Sequence, residues 1–425
     1  MRAATIKLPR PYLLGLALLT ALLTWLAWNT NAPRMGFVLA NPSDPLGYYQ
    51  WLPWTFIHGD WSAFPYVHYL PSGKGLSLFT MGVAILQAPF FLLAWVYCGL
   101  VGIPATGFEL PFVFARLLAA SAYTSGGITL IFWMLRRRVD PLTAWMTCGA
   151  LLFATTLYFY TVHEGGMSHA YSFFLITWVV YLTYRMVEAP RWDRLLALFF
   201  SVSLIILIRP LNGIITLFVL FAGAEIGSAI PTRLRWLKDH PKTSIAGTAL
   251  AVLMWMPQLF YWKMQTGSWF VFTYGKKNES FDFTDPHLIE TLFSFQNGWF
   301  PYTPVMLFAV CMLLWQAWKG SGDARVSVVV WCVVWYVYAS WWCWWLGSAF
   351  GYRGFLELYA LFAFPLAALL AHPLRHKYFR IPTILVLLLL VQLNIRLGHL
   401  YQYPWEAPYW DWNKLGEVYL RALKW

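Results

Sequence analysis

A carboxylate lies among turn-forming residues near the start of the chain, in the stretch Asn41-Pro42-Ser43-Asp44-Pro45-Leu46-Gly47-Tyr48-Tyr49. Apolar side chains then recur at offsets near three and four, which predicts a short helix that lies on a membrane surface, with Asp44 at its start and at the water–lipid boundary. From these residues alone, a helix cap or an Asx turn is favoured for Asp44. A carboxylate of a chemical site is the alternative.

A second polar stretch, Thr161 to His169, holds one carboxylate and two imidazoles around a Gly pair. His163, Glu164 and His169 have the ligand types of a two-His, one-carboxylate metal site. Side chains of this kind at an interface also hydrogen-bond to neighbouring loops. We therefore favour Glu164 as a site carboxylate without a metal, and a divalent ion remains the alternative.

Cationic side chains form the third feature. Arg353 stands between glycines, which allow an anionic head group to approach, and Arg209 precedes Pro210 at the end of an apolar run. The planar guanidinium fork suits phosphate better than an ammonium does, so a lipid phosphate is one candidate partner. The alternative for Arg353 is an ion pair with Glu357, one helical turn further on.

The composition shows what kind of protein must position these groups. The chain has 425 residues, of which 60% are hydrophobic, 20% aromatic and only 11% charged, whereas about 25% of the residues of soluble domains are charged. The net charge of +12 comes from basic residues that punctuate apolar segments, which argues against nucleic acid as a partner. The five cysteines lie in or beside apolar stretches and are interpreted as buried thiols.

Eleven segments are apolar enough to span a bilayer, which needs about 20 such residues. They are Tyr12–Trp28, Phe112–Leu135, Leu142–Thr161, Ala170–Tyr184, Leu195–Ile208, Ile214–Ile230, Ile245–Trp262, Pro304–Trp318, Val326–Trp345, Phe355–His372 and Pro382–Leu400. The first follows a basic start that includes Arg2 and Lys7 and resembles a signal peptide, but we expect it to be retained because many spans follow. The fold class is therefore an all-α polytopic membrane protein.

A twelfth apolar stretch, Leu76–Leu100, decides the orientation of the chain. If it does not cross, the short inside loops contain 18 of the 30 Lys and Arg residues, as the positive-inside rule requires. We therefore expect an interfacial or re-entrant segment broken by Pro89 and Gly82, an inside amino terminus and an outside carboxyl terminus. The inside loops lack a nucleotide-binding glycine fingerprint, so function is expected on the outer side, in the loop 29–110 and the short segments that follow.

The order of these features resembles the GT-C superfamily of membrane glycosyltransferases, which includes protein O-mannosyltransferases and aminoarabinose transferases. The resemblance covers nearly the whole chain as one domain, 1–425, with interfacial helices in 29–110 and a short tail, 401–425. It is carried by the following stretches: Ser43 to Tyr49, Gly59-Asp60-Trp61, Phe114-Ala115-Arg116-Leu117, Glu164 to Ser172, Trp269, Tyr302-Thr303-Pro304 and Ser340 through Arg353.

The resemblance implies an enzyme that transfers a sugar, with inversion, from a polyprenyl-phosphate-linked donor to an acceptor at the periplasmic face of a bacterial inner membrane. The amino terminus would be cytoplasmic and the carboxyl terminus periplasmic, and no cofactor is expected. Asp44 would act as general base or position the acceptor hydroxyl, and Glu164 would be the second acid. The donor phosphate would be bound by Arg353, Arg209 and Lys74. The residues expected to line the site are Tyr48, Tyr49, His163, His169 and Tyr352.

Two other functions compete with this one. A transporter or flippase of lipid-linked saccharides would need polar residues along a path through both leaflets, whereas the inner halves of most predicted spans are apolar. An O-antigen ligase or polymerase would also act on polyprenyl-linked glycans, but through loop Arg and His residues. The sequence does not indicate the sugar or the acceptor.

Overall fold

The structure is a computed structural model that describes residues 10–32, 43–401, 405 and 410–424. Arg2, Lys7, Asn41, Pro42 and part of the predicted tail lie outside the described residues. Nearly all regular structure in the described part is helical, apart from an antiparallel pair of two-residue strands, β1 (His68–Tyr69) and β2 (Gly75–Leu76). This confirms the all-α class.

The described residues contain 19 helices and four 3₁₀ turns. In chain order they are α1 (Arg10–Asn31), α2 (Asp44–Tyr49), α3 (Trp51–Phe56), α4 (Gly82–Val101), α5 (Leu110–Leu135), α6 (Pro141–Phe153), α7 (Leu157–Val162), α8 (His169–Glu188), α9 (Trp192–Ile208), α10 (Thr216–Phe221), α11 (Ile226–Asp239), α12 (Pro241–Thr266), α13 (Leu288–Phe293), α14 (Trp299–Tyr302), α15 (Pro304–Trp318), α16 (Gly322–Ala339), α17 (Tyr359–Arg375), α18 (Lys377–Leu400) and α19 (Trp412–Leu423). Four 3₁₀ turns cover Trp61–Ala63, Pro210–Ile215, Tyr274–Lys277 and Arg353–Leu358.

Eight helices of the described chain are long and apolar enough to cross a membrane. They are α1, α4, α5, α8, α12, α16, α18 and the continuous stretch 353–375 that includes α17. Shorter apolar helices cover Pro141–Phe153, Pro210–Phe221 and Pro304–Trp318. The protein is therefore a polytopic membrane protein, with α5, α8 and the stretch 353–375 as its most buried helices.

Two of the predicted spans are interrupted. Leu142–Thr161 divides into α6 and α7 because the Thr155 hydroxyl donates to the carbonyl of Leu151 and accepts from the amide of Leu157, so a side chain replaces helical backbone bonds. Ile214–Ile230 ends early at Phe221. Gly223 follows with φ +67° and donates its amide proton to Asp323, a conformation that glycine adopts without steric cost.

Residues 82–100 of the twelfth apolar stretch lie in one continuous helix, α4, so the expectation that Pro89 breaks the stretch was wrong. Residues 76–81 are not helical, and Gly82 is the first residue of the helix. A Cβ atom there would lie 2.6 Å from the backbone nitrogen of Ile208, so glycine lets the start of α4 approach the end of α9 closely. Pro89 lies within the helix without ending it.

The first half of α4 contacts two other elements. Its start lies against Ile208, and further along the helix Phe91 packs on Phe56 of α3 with ring centroids 6.0 Å apart. The length and composition of α4 would allow it to span a membrane. Its interfacial position stays a prediction.

Three of the predicted inside loops, 136–141, 185–194 and 374–381, meet at one end of the bundle, here called the basic end. Arg375 Nε lies 3.0 Å from Asp140 Oδ2, and Arg137 Nη1 lies 3.4 Å from Glu188 Oε1. These ion pairs join the loops after α17, α5 and α8. The opposite end, here called the loop end, comprises residues 43–81, 163–168, 209–215, 267–303 and 340–358.

Candidate active site

Asp44 is the first residue of α2, and Ser43, in an extended conformation, is the N-cap position. The Asp44 carboxylate points away from the cap, with Oδ2 3.9 Å from Nη2 of Arg353. The Asp44 side chain is 41% exposed and the Arg353 side chain 16% exposed. The structure therefore brings together the two charges that the sequence analysis placed in separate loops.

Arg353 begins the 3₁₀ turn that leads into α17. Its Nη2 also donates to the carbonyl of Leu346, at 2.8 Å. Leu346 and Gly347 both have positive φ angles, 61° and 69°, and this left-handed turn directs the Leu346 carbonyl back towards the guanidinium. The alternative expected from the sequence, an ion pair with Glu357, is not observed, because the Glu357 carboxylate is paired with other groups.

Arg209 is the second cation of the loop end. Its Nη1 donates to the Tyr338 hydroxyl at 3.0 Å and lies 3.4 Å from Glu357 Oε1. The Tyr48 hydroxyl of α2 is a further hydrogen-bond partner of this guanidinium. Tyr48 therefore connects the helix of Asp44 to Arg209, so the short helix α2 contacts both arginines.

The second polar stretch packs directly against α2. A Cβ atom on Gly166 would lie 2.6 Å from Cβ of Pro45, so only glycine permits this approach. Glu164, half-buried in the same loop, and Arg353 both act electrostatically on Tyr160. The Tyr160 hydroxyl in turn accepts a hydrogen bond from the amide of Phe350. The two loops that carry Asp44 and Glu164 thus form one wall of the site.

Two phenols complete the rim. Burial and the nearby carboxylates of Asp44 and Glu279 raise the pKa of Tyr66. Burial, Tyr48 and Asp44 raise the pKa of Tyr274 well above its usual range. Both phenols therefore stay neutral near Asp44 and can donate hydrogen bonds to it or to a bound hydroxyl compound.

Three of the residues expected at the site make their contacts elsewhere or are buried. Tyr49 is buried beside Phe91 and Phe108, and its hydroxyl donates to the carbonyl of Gly107. Lys74 donates to the carbonyl of Met264 at 2.7 Å and lines a cleft of about 570 Å³ whose lining does not include Asp44 or Arg353. The Tyr352 ring is fully buried.

The two histidines of the second polar stretch are also separated. His163 stacks on Phe159, with ring centroids 4.8 Å apart, and lies 5.0 Å from the ring of His399. His169 is fully buried and contacts Glu357, with 3.2 Å between Nδ1 and Oε1. In the part of the chain that the structure describes, no three His, Cys, Asp or Glu side chains converge in the way a metal site requires.

Several residues of the site were not predicted from the sequence, among them the rim phenols Tyr66 and Tyr274. Glu279 acts on Tyr66 from another loop, Tyr338 lies within an apolar span, and Glu357 was expected only as an alternative partner of Arg353. The spacing of Glu357 four residues after Arg353 was a usable signal for a charge near the site. Its actual partners come from other helices, which local spacing does not reveal.

Comparisons with known proteins give one distant likeness. No protein-family model and no curated protein matches the chain. Among solved structures, the archaeal oligosaccharyltransferase AglB from Archaeoglobus fulgidus, in complex with an inhibitory peptide and a dolichol-phosphate, is similar with 12% sequence identity and a TM-score of 0.47. The likeness covers 92% of this chain and 55% of the archaeal chain, so this chain spans about half the length of that protein.

Proposed function

We propose that this protein is an integral-membrane glycosyltransferase that moves a sugar from a polyprenyl-phosphate-linked donor to an acceptor hydroxyl, with inversion. The observation that carries the proposal is the approach of Asp44 to Arg353, with Arg209 held nearby by Tyr48. A carboxylate that faces a pair of guanidiniums provides both a proton acceptor and a phosphate-binding surface.

In the proposed reaction, the acceptor oxygen attacks the anomeric carbon of the donor while Asp44 takes the hydroxyl proton. The bond between that carbon and the phosphate oxygen breaks, and its electron pair stays on the phosphate, which leaves as polyprenyl phosphate. Arg353 and Arg209 stabilise the charge that grows on the leaving oxygen. Attack from the side opposite to the phosphate inverts the anomeric configuration.

Glu164 is the proposed second acid. Its loop is held against α2 through Gly166 and Pro45, so it lies on the Asp44 side of the site. We assign it to binding hydroxyl groups of the sugar or acceptor, because a half-exposed carboxylate accepts such hydrogen bonds well. Tyr66 and Tyr274, kept neutral, would donate to the same substrate.

The proposed setting is a bacterial inner membrane, with the loop end on the periplasmic side and the basic end in the cytoplasm. The distribution of Lys and Arg supports this orientation, and the ion pairs that join the basic loops show that these loops share one end. A donor with a long isoprenoid chain would reach the loop end from the outer leaflet.

The test compares wild-type protein with Asp44→Asn in nanodiscs. A panel of polyprenyl-phosphate-linked hexoses and pentoses is supplied with a membrane glycolipid extract as acceptor, and release of polyprenyl phosphate is followed. We expect release by the wild type and a loss of about 10²–10⁴-fold in Asp44→Asn, the usual contribution of a general base. Asp60→Asn is the matched control, because Asp60 lies in the same loop, is exposed and hydrogen-bonds only locally to Ser62.

The other outcomes favour the competing functions. Lipid binding without release, unchanged in Asp44→Asn, would favour a flippase, and vectorial transport in proteoliposomes would then be measured. Full activity in Asp44→Asn with loss in Arg353→Ala would favour a ligase or polymerase. Either result would remove Asp44 from the reaction.

A further inference from the structure

A buried charge cluster lies behind the two arginines of the proposed phosphate site. Glu357 is 1% exposed and His169 is fully buried. Glu357 Oε1 lies 3.4 Å from Arg209 Nη1 and 3.2 Å from His169 Nδ1. Asn212 provides another hydrogen bond to the Glu357 carboxylate, and its amide also donates to Ser172. Two other parts of the chain, residues 169–172 and 209–212, thus fix this carboxylate in one place.

The two arginines differ in how firmly their partners are held. Asp44 is 41% exposed and 3.9 Å from Arg353, so a ligand can replace it at modest cost. The Arg209–Glu357 pair is buried on the Glu357 side, where the low dielectric makes separation of the charges costly. Arg353 therefore has an exchangeable counterion, whereas Arg209 has a permanent one.

The permanent pairing also fixes the orientation of Arg209. Nη1 makes the contacts to both Tyr338 and Glu357, so this corner of the guanidinium faces the buried cluster. The side chain remains 22% exposed, and the Tyr48 hydroxyl is another of its partners. A guanidinium has five N–H donors, so others remain for a ligand.

Charge balance then determines how strongly the site holds a phosphate. Arg209 and Arg353 are close enough to repel each other, and two unbalanced guanidiniums in a partly buried site would hold a phosphate very tightly. A tightly held product leaves slowly, and product release limits turnover in many enzymes. A carboxylate that offsets one guanidinium without blocking it avoids this outcome.

We propose that Glu357 is a positioning residue that acts through Arg209, orients its guanidinium and offsets its charge so that the lipid phosphate product is released. This inference rests on the proposed function, because it assumes that the arginines bind the donor phosphate. Its distinguishing consequence is that removal of the Glu357 charge strengthens phosphate binding, whereas loss of a merely structural contact would weaken it.

The test measures binding of farnesyl phosphate, a short isoprenoid phosphate, to purified full-length protein by calorimetry. Glu357→Gln keeps the shape of the side chain and removes its charge, and we expect it to bind the probe about tenfold more tightly, the order that one unit charge produces at about 12 Å and an effective dielectric constant of about 20. Turnover should fall, with stronger inhibition by added farnesyl phosphate. Glu188→Gln is the matched control, since Glu188 is 49% exposed at the basic end, and it should leave the affinity unchanged.

Unchanged or weaker binding by folded Glu357→Gln overturns the inference. If that variant does not fold because Arg209 is left without its counterion, Arg209→Gln is compared with the double variant Arg209→Gln/Glu357→Gln. Without Arg209 the buried Glu357 carboxyl is expected to be neutral, and a residue that acts through Arg209 has no effect in its absence. The single and double variants should therefore bind farnesyl phosphate equally, and a tighter double variant overturns the inference. If the proposed function itself is wrong, the result is different: the wild type neither binds farnesyl phosphate nor releases polyprenyl phosphate.

Discussion

Gly166 offers a direct test of whether the second polar loop positions Asp44. A Cβ atom at Gly166 would lie 2.6 Å from Cβ of Pro45, the residue that follows Asp44, whereas ordinary van der Waals contact begins at about 3.4 Å. Gly166→Ala must therefore displace one of the two loops by about 0.8 Å. The clash is with a proline ring, which cannot rotate away as a flexible side chain would.

The expected cost follows from this displacement. Overpacking of a well-packed contact destabilises a protein by about 1–3 kcal/mol, which leaves most membrane proteins of this size folded. A shift of about 1 Å in a reacting group lowers turnover by about 10²-fold. Gly166→Ala should therefore lower polyprenyl phosphate release about 100-fold, with a modest decrease in melting temperature.

The assay measures release and thermal unfolding on the same nanodisc preparation. Gly149→Ala is the matched control, because Gly149 lies within α6 and a Cβ atom there meets nothing within 4 Å. That variant should be as active as the wild type and equally or more stable, since alanine favours helix over glycine. A folded Gly166→Ala protein with activity within twofold of wild type would refute the idea that this loop positions Asp44.

Two more predictions concern the basic end and the orientation of the chain. Burial raises the pKa of Asp140, but hydrogen bonds from Thr143 and Arg375 outweigh it and lower the pKa to about 2. Asp140→Ala removes both the cap of α6 and an interloop ion pair and should destabilise the protein by about 1–2 kcal/mol. Because folding lowers the pKa of Asp140, its contribution to stability is present above about pH 4 and is lost as the pH falls towards 2. Equal melting temperatures of wild type and Asp140→Ala at pH 7 would contradict this prediction. For orientation, Lys276→Cys should react with a membrane-impermeant maleimide in intact cells and Arg137→Cys only after lysis, and the reverse pattern would overturn the assigned sides.

The fold class could be predicted because long apolar runs leave few alternatives to membrane-spanning helices. The interruptions of two spans could not, because they depend on particular contacts. The Thr155 hydroxyl replaces backbone hydrogen bonds, and the Gly223 amide donates to Asp323 in the first turn of the distant helix α16. Hydropathy averages over such residues. A run of apolar residues therefore predicts a membrane span but does not predict whether the helix is continuous.

For the candidate site too, the sequence predicted some features and not others. Asp44 and Arg353 were selected one by one from their residue types and neighbours, and the fold brings them to 3.9 Å. The alternative considered for Arg353, an ion pair with Glu357, is not observed, because a spacing of four residues indicates a contact only in a regular helix. Residues 353–358 form a 3₁₀ turn instead, and Glu357 contacts Arg209 and His169 from other elements.

The wide separation of the site residues along the chain has a consequence for biosynthesis. Arg209 is made before Glu357, and at about 5–20 residues per second the ribosome needs roughly 10–30 s to reach Glu357. During this interval Arg209 has no permanent counterion. Its place directly after the last residue of α9 lets the guanidinium wait at the lipid–water interface, where a charge costs little. The buried ion cluster can therefore form only late in synthesis, when the turn that carries Glu357 is inserted. A nascent chain that stops before this turn would keep Arg209 unpaired and would be recognised by membrane quality control.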